Sequence, residues 1–395
     1  MRILQVIPYF PPAYAFGGPV NVSYNVSKML VKRGHEVVVC TTDAKDFGSR
    51  IEGTPDGVDA GLEVHRFKNV SLTLVNKFKL FVTPQLASFL KRNLKRFDVI
   101  HLHEYISFQN IVASHYAQKY KIPYVLQVHG SLARVGNWRR LKWIYDLFFG
   151  HRLLRYASKV IALSEVEAQQ YRNMGVPDEK IAVIPNGIDL SEYAVLPPRG
   201  SFKRKFDIPD RKKIVLYLGR IHRTKGVDLL VKAYAYLIKE MKCTDSLLVI
   251  AGPDDGYLSE VRSLVASLGI SNSVIFTGFI SSEDKLSALV DADVFVTPSF
   301  YGFPVTFLEA CSTGTPIVTT NLGDTLEWID GNVGYVIPPS HYELSKAIYG
   351  IISDDELRRK FSRNCINIVR FNFSLEKVVT RLEQVYEEVI RKQKI

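Results

Sequence analysis

Apolar residues recur along this chain in two forms: short unbroken runs rich in β-branched side chains, and longer stretches in which they return every third or fourth position. Ile3 to Ile7 is a run of the first kind. A loop rich in proline and glycine follows to Gly18, and Val22, Val26, Met29 and Leu30 then mark one face of a helix. Val37 to Cys40, Val99 to Leu102, Tyr124 to Val128 and Val160 to Leu163 continue the series. Unbroken rather than alternating runs suit strands covered on both faces, so the pattern predicts a parallel sheet flanked by helices, a doubly wound α/β domain.

The pattern then restarts. After Ile184 to Asp189 comes an irregular stretch with Pro197 and Pro198, and Ile214 to Leu218 is a new first strand, followed by a loop, a helix from about Gly226 and the strand Leu247 to Ala251. Val274 to Phe276, Val294 to Val296 and Ile317 to Thr319 are later strands of the same domain. The expectation is two Rossmann-like doubly wound domains, residues 1–193 and 194–373, matching a length of 395 residues that calls for two cores. Residues 374–395 form a final amphipathic helix capped by Ser374, with Leu375, Val378, Val379, Leu382, Val385, Tyr386 and Val389 on its apolar face.

Composition narrows the class. With 47% hydrophobic and 23% charged residues the chain is an ordinary globular protein. The apolar N-terminus is interrupted at Pro8, Pro11 and Pro12, lacks a small-residue cleavage site and reads as a strand, and no apolar run is long enough to span a bilayer, so a cytoplasmic location is expected. The four cysteines, Cys40, Cys243, Cys311 and Cys365, are widely spaced, as expected of reduced thiols. Of the net charge of +11, most lies in residues 1–195, where 25 lysines and arginines face 16 acids. Such a bias points to an anionic partner for that half.

In open α/β sheets ligands bind at the carboxyl ends of the strands, which directs attention to the loops that follow them. Neither first loop contains G-x-G-x-x-G or a P-loop. Gly17 and Gly18, just before a helix, would let backbone N–H groups approach an anion, although an ordinary turn explains them equally. The second domain's loop, Gly219 to Gly226, sets Arg220 and Lys225 beside a helix start, where a paired negative group is the natural occupant. Farther on, Pro298 to Pro316 joins a strand end to a helix carrying one carboxylate, Glu309, which needs either ribose hydroxyls or a buried cation as partner.

The stretches Phe97 to His101, Val128 to Gly130, Ile184 to Asp189, Leu218 to Arg220 with Lys225 and Gly226, Ala292 to Ser299, and Leu308 to Ala310 with Gly314 to Pro316 resemble, in order and spacing, the retaining family 4 glycosyltransferases of double-Rossmann, B-type architecture. The resemblance implies two domains facing a cleft, a nucleotide-diphosphate sugar as donor, retention of anomeric configuration, no metal and no other cofactor. It implies that Arg220 and Lys225 bind the donor diphosphate and stabilise its departure, Glu309 the ribose, and His129 the transferred sugar. Gly17 and Gly18 would take the phosphate side, and Gly219, Gly252, Gly278, Phe279, Tyr301, Gly302, Phe303, Val305 and Thr306 complete the expected donor-binding set. The final helix is expected to cross back onto the first domain. In one respect the sequence departs from the family: a frequent E-x7-E pair has its first position at Tyr301, which is no anion at neutral pH.

Other patterns carry less. Asp291 and Asp293 spell the D-x-D of metal-dependent transferases, but they fall where a helix gives way to a buried strand, and His101 with His103 lacks a third zinc ligand, which makes core or cleft-lining histidines the expectation. An oxidoreductase would show the glycine fingerprint, and a nucleic-acid partner leaves the Arg220–Lys225 pair unexplained. A nucleotide-sugar epimerase, another double-Rossmann enzyme such as a phosphorylase, or a non-catalytic nucleotide-sugar-binding protein is the alternative reading. Finally, residues 74–96 hold six cations and no acid, and residues 134–155 interleave Arg134, Arg139, Arg140, Lys142, Arg152 and Arg155 with Trp138, Trp143, Tyr145, Phe148 and Phe149. Cations beside aromatic rings suit an anionic membrane surface, so peripheral binding at the inner face of the membrane and a saccharide or lipid-linked acceptor are expected.

Overall fold

Each half of the chain is built round one parallel sheet. The computed structural model describes residues 1–52, 57–132, 139–324 and 326–394, and divides into two units, Met1–Gly187 with Leu375–Ile395, and Ile188–Ser374. The first unit therefore ends near residue 187, and the final helix belongs to it.

In the first unit the strands are β1 (Arg2–Val6), β2 (Glu36–Thr42), β3 (Gly57–Asp59), β4 (Leu62–Phe67), β5 (Val99–His103), β6 (Tyr124–Gln127), β7 (Lys159–Ala162) and β8 (Ile181–Val183). Their order is β3-β4-β2-β1-β5-β6-β7-β8, parallel throughout except for the short edge strand β3. Neighbouring side chains point to opposite faces, and both are covered. Leu4, Val38, Ile100, Leu126 and Val160 pack in one core with Leu86, Leu90, Ala113, Ala117 and Leu153 of flanking helices, while Ile3, Val37, Val99, Val125 and Ile161 are buried on the other side. Each such side chain contributes about 1.5–3 kcal/mol on leaving water, which is why the runs are unbroken.

The final helix, Leu375–Lys394, buries all seven of its predicted apolar residues. Arg33, at the end of the helix Gly18–Lys32, fixes it by donating to Thr380 Oγ1 at 2.8 Å, Glu383 Oε2 at 2.5 Å and the Glu376 carbonyl at 2.7 Å.

The second unit holds β9 (Lys213–Leu218), β10 (Ser246–Ala251), β11 (Val274–Gly278), β12 (Val294–Phe300), β13 (Ile317–Gly323) and β14 (Gly334–Ile337), all parallel in the order β11-β10-β9-β12-β13-β14. Order reverses beside β9, the kind of switch point at which open sheets bind ligands. Val215, Tyr217, Leu248, Ile250, Val294 and Val296 form its core with Leu230, Val231, Tyr234, Leu344 and Ile348.

Candidate functional site

In the second unit the loops after β9, β10 and β11 are laced together by backbone hydrogen bonds, Gly219 N–H to the Ala251 carbonyl at 3.0 Å and Gly252 N–H to the Gly278 carbonyl at 2.9 Å. The carboxyl edge of the sheet is thus lined by bare backbone at Gly219, Gly252 and Gly278, with Phe279 standing out from it almost fully exposed.

After Gly219 the chain makes one 3-10 turn, Arg223–Lys225, in which the His222 ring accepts from Thr224 N–H, and enters the helix Val227–Lys239 through Gly226 at φ +68°. Arg220 remains half exposed and pairs with Asp255 at 2.5 Å. Lys225 differs: it has no ion-pair partner among the described residues. Burial first, and the charge of Arg220 second, hold its ammonium below the usual lysine range. Two adjacent cations answered by one carboxylate at a helix start leave a place for an anion.

Glu309 lies on the helix Val305–Ser312 and has a cation partner, Lys285 Nζ at 2.6 Å. Of the two partners expected for it, a cation is present, on a half-buried lysine. Tyr301 is exposed, and Gly302 donates its N–H to Asp324, a buried carboxylate pushed up by desolvation. Val305 and Thr306 begin the helix and are part-exposed. Phe303 turns the other way: it is buried against Trp328 and Phe373, which places it in the packing beneath the loop rather than on its surface.

In the first unit Gly18 opens the helix Gly18–Lys32 behind Gly17 at φ +89°, and the space above both is open. His129 follows β6 in a left-handed conformation, φ +52°. Its turn is clamped by a residue that carries no motif: Glu167 accepts from Gly130 N–H and Leu163 N–H, both at 2.6 Å. Beside it, at the end of β5, Glu104 is also left-handed at φ +68° and accepts the Tyr9 hydroxyl at 2.5 Å. The only early signal of Glu104 was its place after His-x-His at a strand end.

His101 and His103 are buried, His103 against His129 and His101 against Tyr386. Among the described residues no group of three His, Cys, Asp or Glu side chains is arranged to hold a metal. Asp291 accepts from Gly200 N–H at 2.5 Å and Lys203 N–H at 3.0 Å, and Asp293 accepts from Ile214 N–H at 2.9 Å, at the amino end of β12 and away from the ligand edge. Lys142 corrects an expectation: its ammonium is buried and donates to the Ser131 carbonyl, so it is no part of an outward basic face. Arg134 and Trp138 lie outside the described residues, as do the side chains of Arg139 and Arg140.

Two Rossmann-like parallel-sheet units of this kind define the B-type glycosyltransferase fold. A solved Anabaena protein, HepE, in complex with UDP and glucose, superposes on it with a TM-score of 0.76 at 20% identity, over 98% of this chain and 100% of that one. Residues 16–192 match the family described as Glycosyltransferase Family 4, and residues 198–367 that described as Glycosyl transferases group 1. The chain belongs to these family 4 glycosyltransferases. It is 26% identical to an uncharacterized glycosyltransferase of Methanocaldococcus jannaschii over 98% of both chains. It is also 24% identical to the UDP-Gal:alpha-D-GlcNAc-diphosphoundecaprenol alpha-1,3-galactosyltransferase of Escherichia coli over 88% of both.

Proposed function

We propose that this glycosyltransferase takes its sugar from a nucleotide-diphosphate donor and passes it to a hydroxyl of a saccharide or lipid-linked acceptor, with retention of configuration and without a metal. The observation that carries the reading is Lys225, a part-buried cation without an ion-pair partner among the described residues, set beside Arg220 at a helix start on the carboxyl edge of the sheet. A diphosphate supplies the missing negative charge. As the bond from the anomeric carbon to the phosphate oxygen breaks, the diphosphate leaves with the electron pair and Arg220 and Lys225 stabilise it; the acceptor oxygen bonds to the anomeric carbon and its proton leaves with the diphosphate. Glu309, oriented by Lys285, takes the ribose hydroxyls, and the bare backbone at Gly252 and Gly278 with Phe279 takes the base. Tyr301, Gly302, Val305 and Thr306 border the sugar, and in the first unit His129 serves the transferred sugar and Gly17 and Gly18 its phosphate.

A nucleotide-sugar donor is supported by the UDP and glucose bound to HepE and by the donor named for the Escherichia coli relative, whose acceptor is lipid-linked. No described helix is long and apolar enough to cross a membrane. We place the chain on the inner membrane face through the exposed aromatic segment Trp143 to Phe149. A thermal-shift screen against UDP, GDP, ADP and their sugars tests the donor reading: one nucleotide diphosphate should raise Tm in wild type and not in Lys225→Ala. A set of nucleotides that shifts neither protein would overturn it.

A further inference from the structure

Three histidines of the first unit, His101, His103 and His129, form a connected chain. Tyr386 of the final helix lies 2.7 Å from His101 Nδ1, the His101 ring stacks on His103 at 4.1 Å, and His103 Nδ1 lies 2.8 Å from His129 Nε2. The His103 and His129 rings are within 8° of coplanar with centroids 5.2 Å apart, so the two nitrogens meet edge to edge in the ring plane, the geometry of an N–H···N hydrogen bond. On its far side His103 Nε2 lies 2.5 Å from Gln5 Oε1, on β1.

The protons in such a chain are not independent. A carbonyl oxygen only accepts, so Gln5 Oε1 requires the proton of His103 on Nε2. His103 Nδ1 is then a bare lone pair, and the bond to His129 exists only if His129 Nε2 carries the hydrogen. That leaves His129 Nδ1 as an acceptor. Burial holds all three imidazoles well below the usual histidine range, His101 and His129 at about 3, so one hydrogen per ring is the state to assign.

We infer that His103, oriented by Gln5 and by stacking on His101, is a positioning residue that fixes His129 in its Nε2–H form, so that Nδ1 accepts a hydrogen bond from a hydroxyl of the transferred sugar. The contact to sugar rests on the proposed function; the tautomer does not. Specificity follows from the sign of the bond: a donor sugar lacking the hydroxyl at this place, or carrying an ether there, leaves Nδ1 unanswered.

Two measurements test it. In wild-type protein labelled with 15N-histidine, long-range 1H–15N correlations should show His129, assigned through its loss in His129→Asn, protonated on Nε2 and bare on Nδ1. Protonation on Nδ1 overturns the inference, whatever the donor proves to be. His103→Asn retains a carbonyl able to accept from His129, whereas His103→Leu does not. His103→Leu should lower kcat about 10-fold to 100-fold with nucleotide Kd unchanged, and His103→Asn should recover most of the loss. Equal losses in both variants would make His103 a packing residue only. Failure of wild type to bind UDP, GDP or ADP would instead count against the donor reading and leave the tautomer measurement intact. If His103→Leu does not fold, the wild-type spectrum decides alone.

Discussion

A Cβ on Gly252 would lie 1.9 Å from the carbonyl oxygen of Gly219. At this point the loops after β9 and β10 therefore meet backbone to backbone, and the close approach is what presents Gly219 and Arg220 at the sheet edge. Gly252→Ala must push the loops apart, and should cost at least about 2 kcal/mol along with nucleotide affinity. Gly256, at φ +80° with open space around its would-be Cβ, is the control. Gly256→Ala meets only the left-handed backbone penalty, about 1–2 kcal/mol. Denaturant unfolding of the two variants compares them, and equal losses with unchanged nucleotide binding would refute the close-approach account.

Lys225 separates stability from activity. Its charge is desolvated and opposed by Arg220, so Lys225→Met should leave the ligand-free protein as stable or raise its stability by about 0.5–1 kcal/mol. The same change should lower kcat/KM roughly 30-fold to 1000-fold, as should Arg220→Ala, through lost stabilisation of the departing diphosphate. Thermal melts of the free protein and steady-state kinetics give both readings. A variant that melts lower yet turns over normally would mark Lys225 as a structural cation.

The sheets were legible because their strands are buried on both faces and so read as unbroken runs. The strands that escaped lie at edges or next to them: β3 has three residues, its neighbour β4 carries Glu63, His65 and Arg66 at part-exposed positions, β8 has three residues, and β14 is largely half-buried. The same limit applies to the site. Arg220 and Lys225 lie in one loop and announce themselves. Their surroundings do not, because parallel crossovers bring in Asp255 from 35 residues away, Lys285 to Glu309 across 24, and Glu167 to Gly130 across 37. Lys142 was misread for the converse reason: a helical stretch alternating cations with aromatics does not say which of its members turns inward.

Burial pushes the Glu104 carboxyl up to about 7, against the hydrogen bonds from Tyr9 and Ser131 and the charge of Lys142. The folded protein thus holds this proton more tightly than the unfolded chain, whose glutamates titrate near 4.5. The stability Glu104 lends is complete below that value and is lost as pH rises through about 7, by no more than about 3 kcal/mol. Glu104→Gln stays neutral and still accepts from Tyr9, so the variant should gain on wild type as pH rises. The buried histidines act in the opposite sense, losing stability as pH falls below the usual histidine range, and only the difference between the two proteins isolates Glu104. Urea unfolding at about pH 5 and about pH 8 measures it. Curves that run parallel would show that Glu104 titrates as an ordinary carboxyl.

The membrane proposal also yields a prediction, because the structure separates its apolar from its charged component. Along the helical stretch 139–156, Trp143, Ile144, Leu147, Phe148 and Phe149 are exposed, Phe148 by 65%. Phe148 and Phe149 border a groove of about 390 Å³ whose other walls include Ile111, Tyr116, Leu153 and Ala87. Ala87 belongs to the helix Gln85–Asn93, so the aromatic segment and a basic helix flank one groove. Lys91 and Arg92 are exposed on that helix, Lys95 just beyond it, and Lys77 and Lys79 in the segment before it, while Arg96 is paired with Glu63. Rings of this kind enter the headgroup layer, and each cation near an anionic surface adds about 1 kcal/mol. Wild type should co-sediment with vesicles of anionic phospholipid at low salt and much less with neutral ones. Lys91→Glu with Arg92→Glu reverses two charges and should abolish binding. Leu147→Ser with Phe148→Ser keeps every cation, and should weaken binding at least about tenfold while leaving residual attraction that salt removes. If the serine pair binds like wild type, the attraction is electrostatic alone and the aromatic segment lies outside the contact; if wild type stays in the supernatant with anionic vesicles, a soluble acceptor replaces the lipid-linked one.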